Sequence, residues 1–259
     1  MKGKKKMEII KKQEDKTSLK KSNTYLLVDV ETCNDQRIVM ELSFLVINKL
    51  FGKKQEKCFI IKEVWENEEY RNGKYAIEKL AHWQEMIDNG KAQVISIYKL
   101  YDLINKTIID KGINIFSAYN VAFDFNAIHK TYHRYGIDKR KDYKESNKLL
   151  GLQKLCLWNY ARKIYCTKNY VKWALENGKL TPKSKIKSSA ESLYQYLVEN
   201  EEFVETHFGI EDLQIEYTIF VASIIQNTLD RNNNLILNKN GNWRTVETFK
   251  AEMKEKGLI

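Results

Sequence analysis

Asp29, Glu31, Asp124, His207 and Asp212 are the residues of this chain whose types and spacing suit chemistry. The first two stand at i and i+2 at the end of an aliphatic, β-branched run (24–30, TYLLVDV) that reads as a buried strand. A strand's period of two puts both carboxylates on one face and Val28 and Val30 on the other. Two acids in an apolar strand are costly to bury as ions unless a cation compensates them. Their hard oxygens suit Mg²⁺ or Mn²⁺ better than zinc. A bare D-x-E triplet turns up by chance; its place inside a strand gives it weight.

Asp124 closes the motif Asn120-Val121-Ala122-Phe123-Asp124, between a short apolar strand (113–119) and a helix (121–135). Open α/β sheets hold their ligands at such junctions. Taken alone, Asn120 as N-cap and Asp124 as a first-turn acid explain the motif equally well. His207 stands five residues before Asp212, which opens a very apolar helix over 211–227. Asp212 is expected to point toward the sheet, with Ile215 and Ile219 on the same broad side. A histidine in the preceding loop suits deprotonation of an attacking water. Four carboxylates can hold two cations ~3.5–4 Å apart, an arrangement that stabilises the attacking and leaving oxygens of phosphodiester cleavage.

The elements that must position these groups follow from the same pattern reading. After the strand at 24–30, runs 38–48 and 57–62 read as two more strands, joined by a turn at Gly52-Lys53-Lys54. Helical periodicity covers 75–88 and 94–110, with Gly90 and Gly112 as stop signals. Gly136 ends the helix after Asp124. Helices are expected at 153–166 and 170–177, and Ser188 to Glu191 reads as a capping box for a helix to about residue 200. The tail from Arg231 carries an Asn-Gly-Asn turn at 240–242 and an amphipathic segment. The expected class is α/β: a mixed central sheet, its first three strands antiparallel, flanked by helices.

Asp29-Val30-Glu31-Thr32, Asn120 to Asp124, and His207 to Asp212, in this order, resemble the DEDDh exonucleases, the proofreading-exonuclease-like branch of the RNase H-like superfamily. The resemblance covers about residues 23–228, and Glu41-Leu42-Ser43-Phe44 also looks family-like. It implies an RNase H-like fold and two-metal 3′–5′ hydrolysis releasing nucleoside 5′-monophosphates. In that resemblance Asp29, Glu31, Asp124 and Asp212 hold two Mg²⁺ or Mn²⁺ ions, and His207 is the general base. Thr32, Asn120 and Phe123 match positions lining the pocket for the terminal nucleotide. A sister subclass places Tyr four residues before the last Asp; Phe208 stands there, so the histidine subclass fits better. The interval from Asp124 to His207 is longer than a compact member needs. Trp158, Trp173 and several Tyr within it would stack on bases or simply add core.

The formal net charge of +10 is unevenly spread: residues 1–22 hold nine Lys against three acids, or +6 of it. That arm would neutralise phosphates, or be a solvated tail. Residues 23–230 read as one domain, since the single proline and the absence of a Gly/Ser-rich linker leave no boundary; 231–259 reads as an extension. No apolar run reaches the ~18 residues of a membrane span, and the lysine-rich start lacks a signal-like apolar core. The four cysteines show no zinc spacing and are expected to be reduced and buried in a cytoplasmic protein of bacterial or phage-infected cells. His129 and His133, at i and i+4, lack a visible third ligand and read as a helix face. The expected partner is nucleic acid, single-stranded or frayed DNA before RNA, with a polymerase or replication partner conceivable. Alternatives are RNA trimming on the same fold and a non-catalytic nucleic-acid-binding protein.

Overall fold

The computed structural model describes residues 23–48 and 52–228; the arm at 1–22 and the extension at 231–259 lie outside the described residues. The chain is α/β. Its strands are β1 (Tyr25–Thr32), β2 (Val39–Ile47), β3 (Lys53–Ile61), β4 (Gln93–Ile95), β5 (Ile115–Ala118) and β6 (Gln153–Cys156). They form one mixed sheet in the order β4-β3-β2-β1-β5-β6. β1, β2 and β3 are antiparallel, while β5 joins β1 and β4 joins β3 in parallel. β1 and β2 are interior strands, and Leu27, Val28, Leu45 and Val46 on both faces are buried. Strands covered on both faces read as continuous apolar runs, which is why their sequences hardly alternate.

Among the described residues, the helices longer than one turn are α1 (Leu80–Asp88), α2 (Ile97–Lys111), α3 (Val121–Arg134), α4 (Lys168–Glu176), α5 (Ala190–Val198) and α6 (Gly209–Thr228). α2 begins where the Ser96 hydroxyl accepts from the Lys99 amide and ends at Gly112, whose φ of 60° suits a residue without Cβ. α3 follows β5 almost directly. Thr131 on α3 accepts from the Val39 amide at 2.9 Å and donates to the Ala127 carbonyl at 2.9 Å, fastening the helix to the start of β2.

The described chain forms two compact units. The first comprises 23–155 with 206–214, and the second 156–205 with 215–228. In the second, Thr167 caps α4 and Ser189 caps α5. Its core is aromatic: Tyr170, Trp173 and Tyr196 lie with ring centroids 5.1–5.5 Å apart. Trp158 donates to the Ser188 hydroxyl at 3.0 Å and Trp173 to Glu201 at 3.1 Å, so these indoles serve the unit's own packing.

Several local expectations are corrected. Lys53 and Lys54 begin β3 and do not form its turn. Val94 belongs to β4, because pairing with β3 overrides its helical periodicity, and the helix starts after Ser96. The segment 153–156 is a strand followed by the single turns Leu157–Tyr160 and Arg162–Tyr165, not one helix. Residues 75–79 form turns ahead of α1. In place of a Ser188–Glu191 box, the Ser189 hydroxyl accepts from the Ser192 amide, and Glu191 accepts from Lys187 and the Glu205 amide. Cys33, Cys58 and Cys156 are buried, but Cys166 is exposed. Among the described residues no helix is long and apolar enough to cross a membrane.

Candidate active site

Along β1, half-buried Asp29 and Glu31 alternate with buried Val30 and Thr32, so the two carboxylates share the accessible face. Asp29 lies opposite Ser43 and Glu31 opposite Glu41 on β2. The pairing slips between Glu31 and Thr32, the kind of irregularity that re-aims side chains at the end of a strand.

Asp212 arrives from α6. The Phe208 carbonyl accepts from the Glu211 and Asp212 amides at 2.9 Å each, which sets the first turn and turns Asp212 inward to 5% exposure. Carboxylate oxygens of Asp29, Glu31 and Asp212 all lie within 4.8 Å of one another, and a His207 ring nitrogen lies within 4.8 Å of an Asp212 oxygen. His207 is exposed, with φ of 58° in the left-handed region. A side-chain-bearing residue adopts that conformation at a cost of about 1 kcal/mol, so surrounding contacts must hold the loop there.

α6 starts close to the strands because residue 209 is glycine. A Cβ there would meet Glu41 Oε1 at 2.8 Å, Ser43 Oγ at 3.1 Å and Asp29 Oδ2 at 3.2 Å. Glu41 is fully buried beneath this contact. It accepts from Trp83 Nε1 at 2.7 Å, Ser43 Oγ at 3.0 Å and Cys58 Sγ at 3.3 Å. α1, β2, β3 and the start of α6 therefore converge on one carboxylate.

Asp124 is buried in the first turn of α3, with the backbone of Val30 near its carboxylate. Burial, reinforced by the nearby Glu31 charge, pushes its carboxyl up to about 8; the nearby backbone offsets only part of this. Asp124 thus stands against β1 beside the other acids, but outside the trio whose oxygens are mutually within 4.8 Å. Thr32 is buried at the end of β1. Asn120 occupies the N-cap position of α3, yet its side chain makes no capping bond and it is exposed. Phe123 is half-buried, with the Arg37 guanidinium 5.0 Å from its ring centroid.

Lys79 is a site residue that sequence reasoning missed. Its Nζ lies 2.6 Å from Glu31 Oε2 and donates to the His207 carbonyl at 2.7 Å. Nothing local marks it, since its partners are remote in sequence. Glu41 and Ser43 carried a fainter signal, being i and i+2 on a strand like Asp29 and Glu31. His82 stacks on Phe208 at 3.5 Å between centroids.

The donor set suits a cation. Three converging carboxylates, and a fourth held largely protonated at neutral pH by burial and a neighbouring negative charge, are what a hard divalent ion would relieve. Cys58, the nearby thiol, is pushed far above its ordinary range by burial and Glu41, so it offers no thiolate. His129 and His133 do not form a second centre. His129 meets the Tyr143 hydroxyl at 2.8 Å, and burial with the Lys154 charge lowers it to about 4. His133 meets Asp138 at 2.6 Å.

No protein-family model matches this sequence, and no curated protein matches it either.

Proposed function

We propose that the chain is a metal-dependent exonuclease of RNase H-like fold that removes nucleotides from a 3′ end, on single-stranded or frayed DNA. The observation that carries this reading is the convergence of Asp29, Glu31 and Asp212 from β1 and α6, with His207 at the rim and buried Asp124 against the same strand. The strand order, the antiparallel first three strands and the strand–helix junction before Asp124 are compatible with that fold.

Asp29, Glu31, Asp124 and Asp212 would hold two Mg²⁺ or Mn²⁺ ions, which when bound polarise the phosphoryl group and promote ionisation of water. His207, exposed beside Asp212, takes the proton from the attacking water. The new P–O bond forms to the water oxygen as the bond to the 3′ oxygen of the preceding nucleotide breaks, leaving a nucleoside 5′-monophosphate. Phe123, with Thr32 and Asn120, would line the pocket for the terminal nucleotide. The Arg37 guanidinium, over the Phe123 ring, would be available to phosphates there.

The test is 5′-labelled single-stranded DNA and RNA incubated with Mg²⁺ or Mn²⁺, for the wild type and Asp124→Ala. A ladder shortening from the 3′ end, abolished by EDTA and by the substitution, is expected, with DNA cut faster. Faster cutting of RNA would redirect the substrate assignment. Equal cleavage by the variant, or tight binding without cleavage, would overturn the enzyme reading.

A further inference from the structure

We propose that Lys79 is a positioning residue that ties the His207 loop to the carboxylate strand; this rests on the exonuclease reading for its consequence, but not for its geometry.

The segment carrying Lys79 is anchored at both ends. A Cβ on Gly73 would fall 2.2 Å from the Cys33 carbonyl, so only glycine lets the chain pass there. Two residues on, the Tyr75 amide donates to that same carbonyl at 3.2 Å, and the Tyr75 hydroxyl donates to Asp35 at 2.7 Å. The Lys79 amide donates to the Ala76 carbonyl at 2.8 Å, closing the turn. Immediately afterwards α1 is pinned by fully buried Trp83 and its bond to Glu41. Lys79 is thus delivered beside the end of β1 by backbone contacts.

Its ammonium joins two pieces of the site. It pairs with Glu31 at 2.6 Å, and the two side chains are only 18% and 17% exposed, so solvent screens the pair less than it screens an ordinary surface ion pair. A second of its three hydrogens goes to the His207 carbonyl at 2.7 Å. It also lies 5.8 Å from the Phe208 ring centroid. The His207 backbone is in the left-handed region, a conformation that needs outside support. A charge-assisted bond to its carbonyl supplies that support and sets where the imidazole stands relative to Asp212. Lys79 acts through His207 and does not touch the scissile bond.

The experiment compares wild type, Lys79→Met, Lys79→Gln and Lys79→Arg as full chains. It follows amide hydrogen exchange at Glu211 and Asp212, whose amides donate to the Phe208 carbonyl next to the tethered one, Mn²⁺ binding by electron paramagnetic resonance, and steady-state cleavage. In Lys79→Met, exchange at these amides should rise about tenfold, as expected for one lost charge-assisted hydrogen bond. Turnover (kcat) should fall by about 10–100-fold with little change in KM, the usual scale for a supporting contact. Mn²⁺ affinity should hold or tighten, because a competing ammonium has left Glu31. Lys79→Arg and Lys79→Gln, which keep a donor, should recover part of the exchange protection and turnover. Unchanged exchange at Glu211 and Asp212, or a change confined to Mn²⁺ affinity, would overturn the proposal and leave Lys79 as a counter-charge for Glu31. If Lys79→Met does not fold, Lys79→Gln against Lys79→Arg makes the same comparison. Should the wild type cleave nothing, the exonuclease reading fails alone, and the exchange measurement still decides the role of Lys79.

Discussion

The two compact units use their polar side chains differently. In the second unit, the indoles of Trp158 and Trp173 and the phenol of Tyr170 donate to acceptors within the unit, and the rings pack on one another. Such groups stabilise the structure that contains them. In the first unit, Asp29, Glu31 and Asp212 converge, and Asp124 is held largely protonated at neutral pH by burial and the Glu31 charge. Negative charge is concentrated there, with Lys79 on Glu31 as a counter-charge. The contrast separates residues that serve folding from residues that could hold a cation, since perturbed ionisation collects at functional sites.

The largest expected effect comes from removing a carboxylate from the charged unit. Asp124→Ala should lower cleavage on the order of 1,000-fold or more, because several kcal/mol of charge stabilisation are lost at tenfold per ~1.4 kcal/mol. The same residue carries a pH signature. Asp124 ionises near 3.8 in the unfolded chain and at about 8 in the folded one, so the folded state holds the extra proton between those values. Stability of the metal-free protein should therefore fall as pH rises from 3.8 to 8. In Asp124→Asn that dependence disappears, and its melting temperature should gain on wild type across the window. Calorimetry finding a constant gap would show that Asp124 carries no such burden.

Next in size is His207→Ala. It should cost on the order of 100-fold or more in rate near neutral pH, with Mn²⁺ affinity intact. Full turnover in this variant would remove the histidine from the proton transfer. Gly209→Ala follows. Its methyl would press on Glu41 and Ser43, costing about 1–3 kcal/mol of stability by denaturant titration and displacing Asp212 enough to slow cleavage. A fully stable, fully active Gly209→Ala would mean that the α6 start need not lie so close to the strands.

The smallest effect belongs to the aromatic unit. Trp173→Phe loses an exposed indole bond to Glu201 and should shift the denaturant midpoint only slightly, with cleavage unchanged. A matching loss of activity would blur the division between the units and bring the aromatic cluster into substrate binding.

Much of this was legible residue by residue. The strand bearing Asp29 and Glu31, the helix opening just before Asp124 and the helix carrying Asp212 all lie near where local patterning put them, as do the glycine stops at Gly90, Gly112 and Gly136. The failures share a cause. Val94 and the segment 153–156 look helical on their own, and only pairing with β3 or β5 makes them strands. Ser189 prevailed over Ser188 as cap because Glu191 went to Lys187 and the Glu205 amide instead of closing a box.

That Asp29 and Glu31 share a face was already implicit in a period of two, and that Asp212 leads an apolar helix was implicit in its neighbours. Short-range geometry suffices for both. Their convergence within 4.8 Å, the displaced ionisation of Asp124 and the bridge from Lys79 to His207, 128 residues apart in sequence, belong to the folded chain alone. Desolvation and charge proximity are properties of atoms brought together from distant segments, and no local pattern encodes them.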